Sequence, residues 1–361
     1  MLILTIDLTK VRPGDTIDVP YELTISTSFR DLWQAAFYCH DRINTSTPFA
    51  RLLGLQEQVV PFGLILFLAG SMSHADQAKI QTGFKNAVYH WPAFIGDTFK
   101  KKFVIKSLRL TKNQESMYDI ECIIHNQRGQ KIFTCTKTML FPYPCPPSQI
   151  TYDQSGYMKK DFLNHLTNQS EVLQTLGSKT ISSVRPEQLI IHTLSRPLSQ
   201  GHMMSLATLG RLTHERHFNT LKYKNDELYV PGALVLAMTL SLASRDLHEV
   251  LFEELIECSF PNHLSPDDIV GSISYVFSLN EHVSGDIECL TIRTIGIKKM
   301  DVPVQLLGKP LPLELFTTKI MKPSILEDFL KQKCPLLQKN IVCIADRKIY
   351  RQAPKQTPFL L

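Results

Sequence analysis

Two stretches of this chain nearly repeat one another. Val60-Pro61-Phe62-Gly63 and Val230-Pro231-Gly232-Ala233 each lead from an extended Val-Pro entry through a glycine into a long apolar run. Pro61 and Pro231 are 170 residues apart. The same spacing separates Asp97, at the end of Trp91-Pro92-Ala93-Phe94-Ile95-Gly96-Asp97, from Asp267, at the end of Phe260-Pro261-Asn262-His263-Leu264-Ser265-Pro266-Asp267. Asp119-Ile120-Glu121-Cys122 returns as Asp286-Ile287-Glu288-Cys289 at an offset of 167. Three landmarks in one order at one spacing imply two copies of a whole module, since short solenoid repeats recur every few tens of residues. The expectation is a built-in pseudo-dimer.

A chain of 361 residues with 43% apolar and 20% charged side chains has ample material for a buried core. The apolar runs at 59–72 and 229–243 contain Pro and Gly and fall short of the ~20 residues that cross a bilayer. The first residues lack a basic segment and an adequate apolar segment, so no signal peptide is read and the cytoplasm is the default compartment. Eight cysteines without a CxxC pair make neither a disulfide framework nor a zinc signature. Cys122 and Cys289 read as small buried side chains. The net charge of +5 suits an anionic small ligand and is too modest and too evenly spread for nucleic acid.

The periodicity predicts a strand at 16–24, a helix at 29–42, a short helix at 48–53 ending at Gly54, and a long apolar helix from 62 to about 79. Alternating strands follow at 84–90, 98–110, 118–125 and 131–141, the last two joined through Asn126-Gln127-Arg128-Gly129. The division is 1–145 for the first module, 146–183 for a linker, 184–300 for the second module and 301–361 for a C-terminal extension. In the second module the apolar helix spans 232–245, with strands at 251–261, 268–278 and 285–297. The extension reads as a helix at 323–334 and a hairpin at 340–352 turning at Ala345-Asp346, and it matches neither copy. The fold class is α+β: antiparallel sheets each wrapped around one apolar helix, joined edge to edge into one continuous sheet, which closes off a vulnerable sheet edge.

A helix that begins at Pro-Gly presents bare backbone N–H groups and the positive end of its dipole. The amides near Gly232, or near Phe62 and Gly63, could hold a thioester carbonyl and stabilise an enolate. The glycine could equally serve only to let the helix pass close to the sheet. Upstream of the second helix, His217 is a candidate general acid/base or a surface histidine. The run His214-Glu215-Arg216-His217 does not match the HExxH spacing of zinc hydrolases, so no metal site is expected. In the first copy Asp41 is a candidate base or a helix-ending polar residue. Lys100-Lys101-Lys102 reads as a solvated edge or a partner for phosphates, and His74 and Asp76 as a polar turn.

The residues 12–15 (Arg-Pro-Gly-Asp), the helix into 39–44, Phe49-Ala50-Arg51-Leu52-Leu53-Gly54-Leu55, the Val-Pro-Phe-Gly helix and Pro92-Ala93-Phe94-Ile95-Gly96-Asp97-Thr98 resemble the MaoC-like hydratases, a hot-dog family. The two-copy arrangement, with 49–55 and 126–129, is most similar to the mesaconyl-CoA hydratase branch, a double hot-dog. The resemblance covers about 10–145 and 185–300. It implies a carboxylate or Asn, with a His five residues later, holding the water added to a 2-enoyl-CoA while a helix N-terminus binds the thioester carbonyl. Carried over, the His falls on His217 and the helix start on Gly232, with Pro231, Tyr229, Thr213 and Asp41 as implied substrate-binding residues.

The partner five residues before His217 is Leu212, which holds no proton. In the first copy Ser46 follows Asp41 at that spacing, so neither copy keeps the full pair. The position of the Glu used by carrier-protein dehydratases is about Ala237.

Two readings follow. The chain is a 2-enoyl-CoA hydratase or 3-hydroxyacyl-CoA dehydratase in which His217 is the acid/base and the missing partner is Asn219, Thr213 or a residue remote in sequence. Alternatively it is an acyl-CoA-binding hot-dog protein that has lost dehydration. A thioesterase would want an acid near a long helix, for which Asp246 and Glu249 are candidates. No cofactor is expected beyond the coenzyme A of the substrate, and no nucleic-acid or membrane partner. A further pairing into a homodimer is left open.

Overall fold

The computed structural model describes residues 10–71, 76–144, 161–176, 183–224, 227–247, 249–284 and 287–353. The first half runs β1 (Thr16–Thr24), α1 (Thr27–Ala36), α2 (Arg42–Thr45), α3 (Thr47–Leu52), α4 (Phe62–Gly70), β2 (Ile80–Tyr89), β3 (Thr98–Leu110), β4 (Ser116–His125) and β5 (Lys131–Phe141). Helices α5 (Asp161–Thr167) and α6 (Ser170–Leu176) follow. The second half contains β6 (Leu189–Ile191), β7 (Arg196–Pro197), α7 (Gln200–Leu209), α8 (Gly232–Ala243), β8 (Val250–Ser259), β9 (Ile269–Ser284) and β10 (Ile287–Lys298). It continues through α9 (Val302–Leu306), α10 (Glu314–Thr317), α11 (Pro323–Lys333) and β11 (Ile341–Gln352).

The eleven strands of the described residues form one antiparallel sheet in the order β1-β3-β4-β5-β2-β8-β11-β10-β9-β6, with β7 also on β9. The order reads the same from either end, so the duplication is present in the topology. The seam is β2 against β8, where Phe84 pairs with Cys258 and Ala87 with Leu255. Lys85 and Glu257 form an ion pair of 3.1 Å across it. The backbones come together there because residue 83 is Gly: a Cβ would lie 2.1 Å from the Cys258 carbonyl oxygen.

Helices α4 and α8 are apolar on every side and accordingly buried on every side. Every residue of α8 from Ala233 to Ala243 is buried. The two helices pack head to tail through small residues, Gly63 beside Ala237 and Gly70 beside Ala233. This brings the N-terminus of α8 to the C-terminus of α4. The first ends at Gly70, earlier than the apolar pattern predicts. There the ammonium of Lys101, fully buried, donates to the carbonyls of Leu68 (3.1 Å), Ala69 (3.2 Å) and Ser71. Lys101 therefore belongs to the core and not to a solvated edge, because strand alternation points it inward between Lys100 and Lys102. Cys122 is fully buried and Cys289 half-buried. His74 lies outside the described residues.

The hairpin expected at 340–352 is instead the single strand β11, which pairs with β10 on one side and β8 on the other. It stands where β5 stands in the first half. Between β10 and β11, in place of the tight turn of the first half, three helices cover the outer face of β9–β11. They bury Val302, Leu306, Phe316, Leu326 and Leu330 against Ile273, Tyr275, Ile295 and Ile297. No helix among the described residues is long and apolar enough to cross a membrane.

Candidate active site

Where the N-terminus of α8 meets the end of α4, a cavity of about 350 Å³ opens. One wall comes from the second half: Leu212, Arg216, His217, Tyr229, Pro231, Gly232 and the loop 260–264. The other comes from the first half: Phe67, Gly70, Ser71, Asp76, Gln81 and Met139. The second half was expected to carry the pocket, but the cavity is built by both halves.

His217 ends a single 3-10 turn, Glu215–His217. Its Nδ1 lies 2.7 Å from the carbonyl oxygen of Tyr229. A carbonyl only accepts, so Nδ1 carries the proton and Nε2 keeps its lone pair. Burial pushes the imidazolium down to about pH 4, and nearby His214 and Arg216 add to the shift against the Tyr229 hydrogen bond. At neutral pH the ring is an uncharged base. The Tyr229 ring is clamped between His263, stacked at 4.4 Å, and the guanidinium of Arg216, also at 4.4 Å, whose Nη2 donates to the Tyr229 hydroxyl at 2.9 Å. This stack fixes the carbonyl that fixes His217.

Three residues on, α8 begins. Pro231 occupies the cap and has no N–H, and the carbonyl of Pro231 accepts from Leu234 and Val235. The amides of Gly232 and Ala233 have no hydrogen-bond partner among the described residues, as expected for the first turn of a helix. Gly232 also passes close to Phe260, whose ring a Cβ would approach to 2.8 Å.

Backbone hydrogen bonds define the pseudo-symmetry of the site. Tyr229 N–H donates to the Arg216 carbonyl at 3.2 Å, and Val59 N–H donates to the Ile43 carbonyl at 3.0 Å. The side chain of Asn44 then donates to the Val59 carbonyl at 2.9 Å, the bond His217 makes to Tyr229. The first-half counterpart of His217 is therefore Asn44, not Ser46, and that of Leu212 is Cys39. Around Asn44 the equivalent space is closed. Arg42 pairs with Glu249 at 2.8 Å, and Asp41 accepts from the Val250 amide at 2.8 Å. Burial, reinforced by Glu253 and Glu249, raises the Asp41 carboxyl to about 8.

Of the expected site residues, His217, Gly232, Pro231 and Tyr229 line the cavity together. Asp41 does not, since it belongs to the closed counterpart. Asn219 is turned to its own loop, donating to Glu215 at 3.2 Å and accepting from the Leu221 amide at 3.1 Å. Thr213 stands behind the wall and donates to Asp76 at 2.6 Å. Asp246 holds His192 at 2.7 Å, which in turn contacts Ser274 at 2.9 Å. That row resembles a hydrolase triad, but Ser274 is fully buried in the sheet. Glu249 is committed to Arg42. Among the described residues no group of three or more His, Cys, Asp or Glu could hold a metal. Arg216 and His263 are cavity residues that sequence reasoning missed, although the repeat at Phe260–Asp267 pointed to the loop of His263; Asp76, read from the sequence as part of a polar turn, lines the cavity as well.

No protein-family model matches the sequence, and no curated protein matches it. Solved structures do. A protein described as a MaoC-domain dehydratase from Chloroflexus aurantiacus superposes with a TM-score of 0.73 at 16% identity, over 95% of this chain and 96% of that one. A conserved protein of Mycobacterium tuberculosis, described as having a double hot-dog fold, gives 0.67 at 14% identity over 95% and 96%. A third, described as a MaoC-like dehydratase, gives 0.59 at 11% over 96% and 99%. The chain is a double hot-dog over nearly its whole length, and its structural neighbours include MaoC-like dehydratases.

Proposed function

We propose that the protein hydrates 2-enoyl thioesters, or dehydrates 3-hydroxyacyl thioesters, with coenzyme A as the acyl carrier. The observation that carries this reading is the convergence of a neutral, carbonyl-anchored His217 and the open amides of Gly232 and Ala233 on one largely apolar cavity. The amides donate to the thioester oxygen, where negative charge grows as the double bond is attacked. His217 Nε2 takes a proton from water as its oxygen bonds to C3. The imidazolium, a strong acid in this buried setting, returns the proton to C2. Phe67, Met139, Val235 and Phe260 supply an apolar bed for the acyl chain. The cytoplasm is the compartment proposed, and the mesaconyl-CoA hydratase branch is the part of the family the sequence most resembles.

Leu212, in the place of the expected acidic or amide partner, favours a second reading: an acyl-CoA-binding protein without turnover. Incubation with crotonyl-CoA in heavy-oxygen water separates the two. Label in the C3 hydroxyl of the product supports hydration. Tight binding of the ester with no label supports the second reading.

A further inference from the structure

We propose that the partner missing from position 212 is supplied by the other half of the molecule, as Asp76, and that it acts as a catalytic residue by holding the attacking water. This rests on the hydratase reading above. Hydration needs the water aimed at C3 as well as deprotonated, and His217 has only Nε2 to offer because Nδ1 is committed to Tyr229. Leu212 cannot help. Asp76, from the connection between α4 and β2, lines the same cavity as Leu212 and His217.

Its place is set by the loop that carries the histidine. Thr213 Oγ1 donates to Asp76 Oδ1 at 2.6 Å, and His214 Nε2 donates to the Ala78 carbonyl at 2.7 Å. His217 N–H in turn donates to the His214 carbonyl at 3.2 Å. Segments 76–78 and 213–217 are thus tied together by hydrogen bonds, although nearly 140 residues separate them in sequence. Thr213 occupies one carboxylate oxygen. Among the described residues no Lys, Arg or His lies within ion-pair distance of Asp76, which leaves Oδ2 for a water. The other acid/base candidate on that loop is already engaged: His214 accepts at Nδ1 from the Arg216 amide at 3.2 Å while donating at Nε2.

The step balances without another reactant. Water donates one hydrogen bond to Asp76 Oδ2 and its other proton to His217 Nε2. Its oxygen bonds to C3, and the π pair passes to C2 and the thioester oxygen. The imidazolium then protonates C2, so that H and OH have been added and both side chains are restored. The arrangement also gives the fusion of the two halves a purpose, since neither half alone holds both groups.

The test uses the full chain, crotonyl-CoA turnover and calorimetric binding of the same ester. Asp76→Ala is expected to lower kcat by about 100-fold or more while leaving Kd within about twofold and the melting temperature little changed. Formate is expected to restore part of its turnover. Leu212→Asp in the Asp76→Ala background is expected to recover activity, a rescue that a merely structural role does not allow. Wild-type kcat in Asp76→Ala, or a loss of turnover matched by a loss of ester binding, would overturn the proposal and leave the hydratase reading standing. An inactive wild type would sink both.

Discussion

His217 and Asn44 stand at equivalent places in the two halves, each donating from its side chain to the carbonyl two residues before a helix-opening proline, at 2.7 and 2.9 Å. The pair shows how the duplication has diverged. An amide holds the loop as well as an imidazole does, but it cannot move a proton at neutral pH. The ion pair of Arg42 and Glu249 has meanwhile closed the space beside Asn44.

One consequence concerns the number of sites. Asn44→His, placed in a His217→Ala background, is expected to restore no turnover, because the first-half space stays shut. Enoyl-thioester absorbance followed over time checks this; appreciable activity in the double variant would mean that the closed counterpart is still a site.

A second consequence concerns pH. The His217 imidazolium is pushed from an ordinary 6.5 to about 4, chiefly by burial. The base is therefore expected to remain effective down to about pH 4, and the acid limb of kcat/KM to lie well below the usual histidine range. Stability follows the same shift. Between 6.5 and about 4 the unfolded chain takes up a proton at residue 217 that the folded chain refuses, so folding is favoured less as pH falls through that window. His217→Asn is expected to flatten this part of a stability-versus-pH curve measured by urea unfolding.

A third concerns the seam. Alanine at Gly83 would set its Cβ 2.1 Å from the Cys258 oxygen, a backbone atom that cannot swing aside. Prying β2 from β8 is expected to cost about 1–3 kcal/mol or more. A lowered denaturation midpoint reads this directly, and an unchanged one would mean that the seam is more pliant than its register suggests.

A fourth concerns the far wall of the cavity. Lys101→Met keeps the length of the side chain but leaves three carbonyls at the end of α4 without their donor. The loss is expected to be about 1–3 kcal/mol. Because Phe67, Gly70 and Ser71 belong to the cavity wall, ester binding measured by calorimetry is expected to weaken as well.

Much of the architecture could be read from the chain because α4 and α8 are apolar on all sides and each follows a Val-Pro step, a pattern that survives duplication. β11 could not be recognised as part of the second module. Its counterpart follows β4 after a five-residue connection, whereas here residues 299–340 intervene and break the repeat spacing. The site was legible only in part for a related reason. His217, Tyr229, Pro231 and Gly232 lie close together in sequence, so local reasoning gathers them. Asp76 reaches them only through the head-to-tail packing of the two helices, which no spacing encodes. Asp41 misled because loop lengths differ between the copies, and only the hydrogen bonds to Val59 and Tyr229 show that Asn44 is the true counterpart of the histidine.

The account turns on His217 acting on an acyl thioester held at the start of α8. The most direct measurement is hydration of crotonyl-CoA by the wild type and His217→Asn side by side, with ester binding measured on both. Turnover by the wild type, falling by about 100-fold or more in the variant at similar affinity, is the expected result. Equal rates in the two proteins, or no turnover by the wild type despite firm binding, would contradict it.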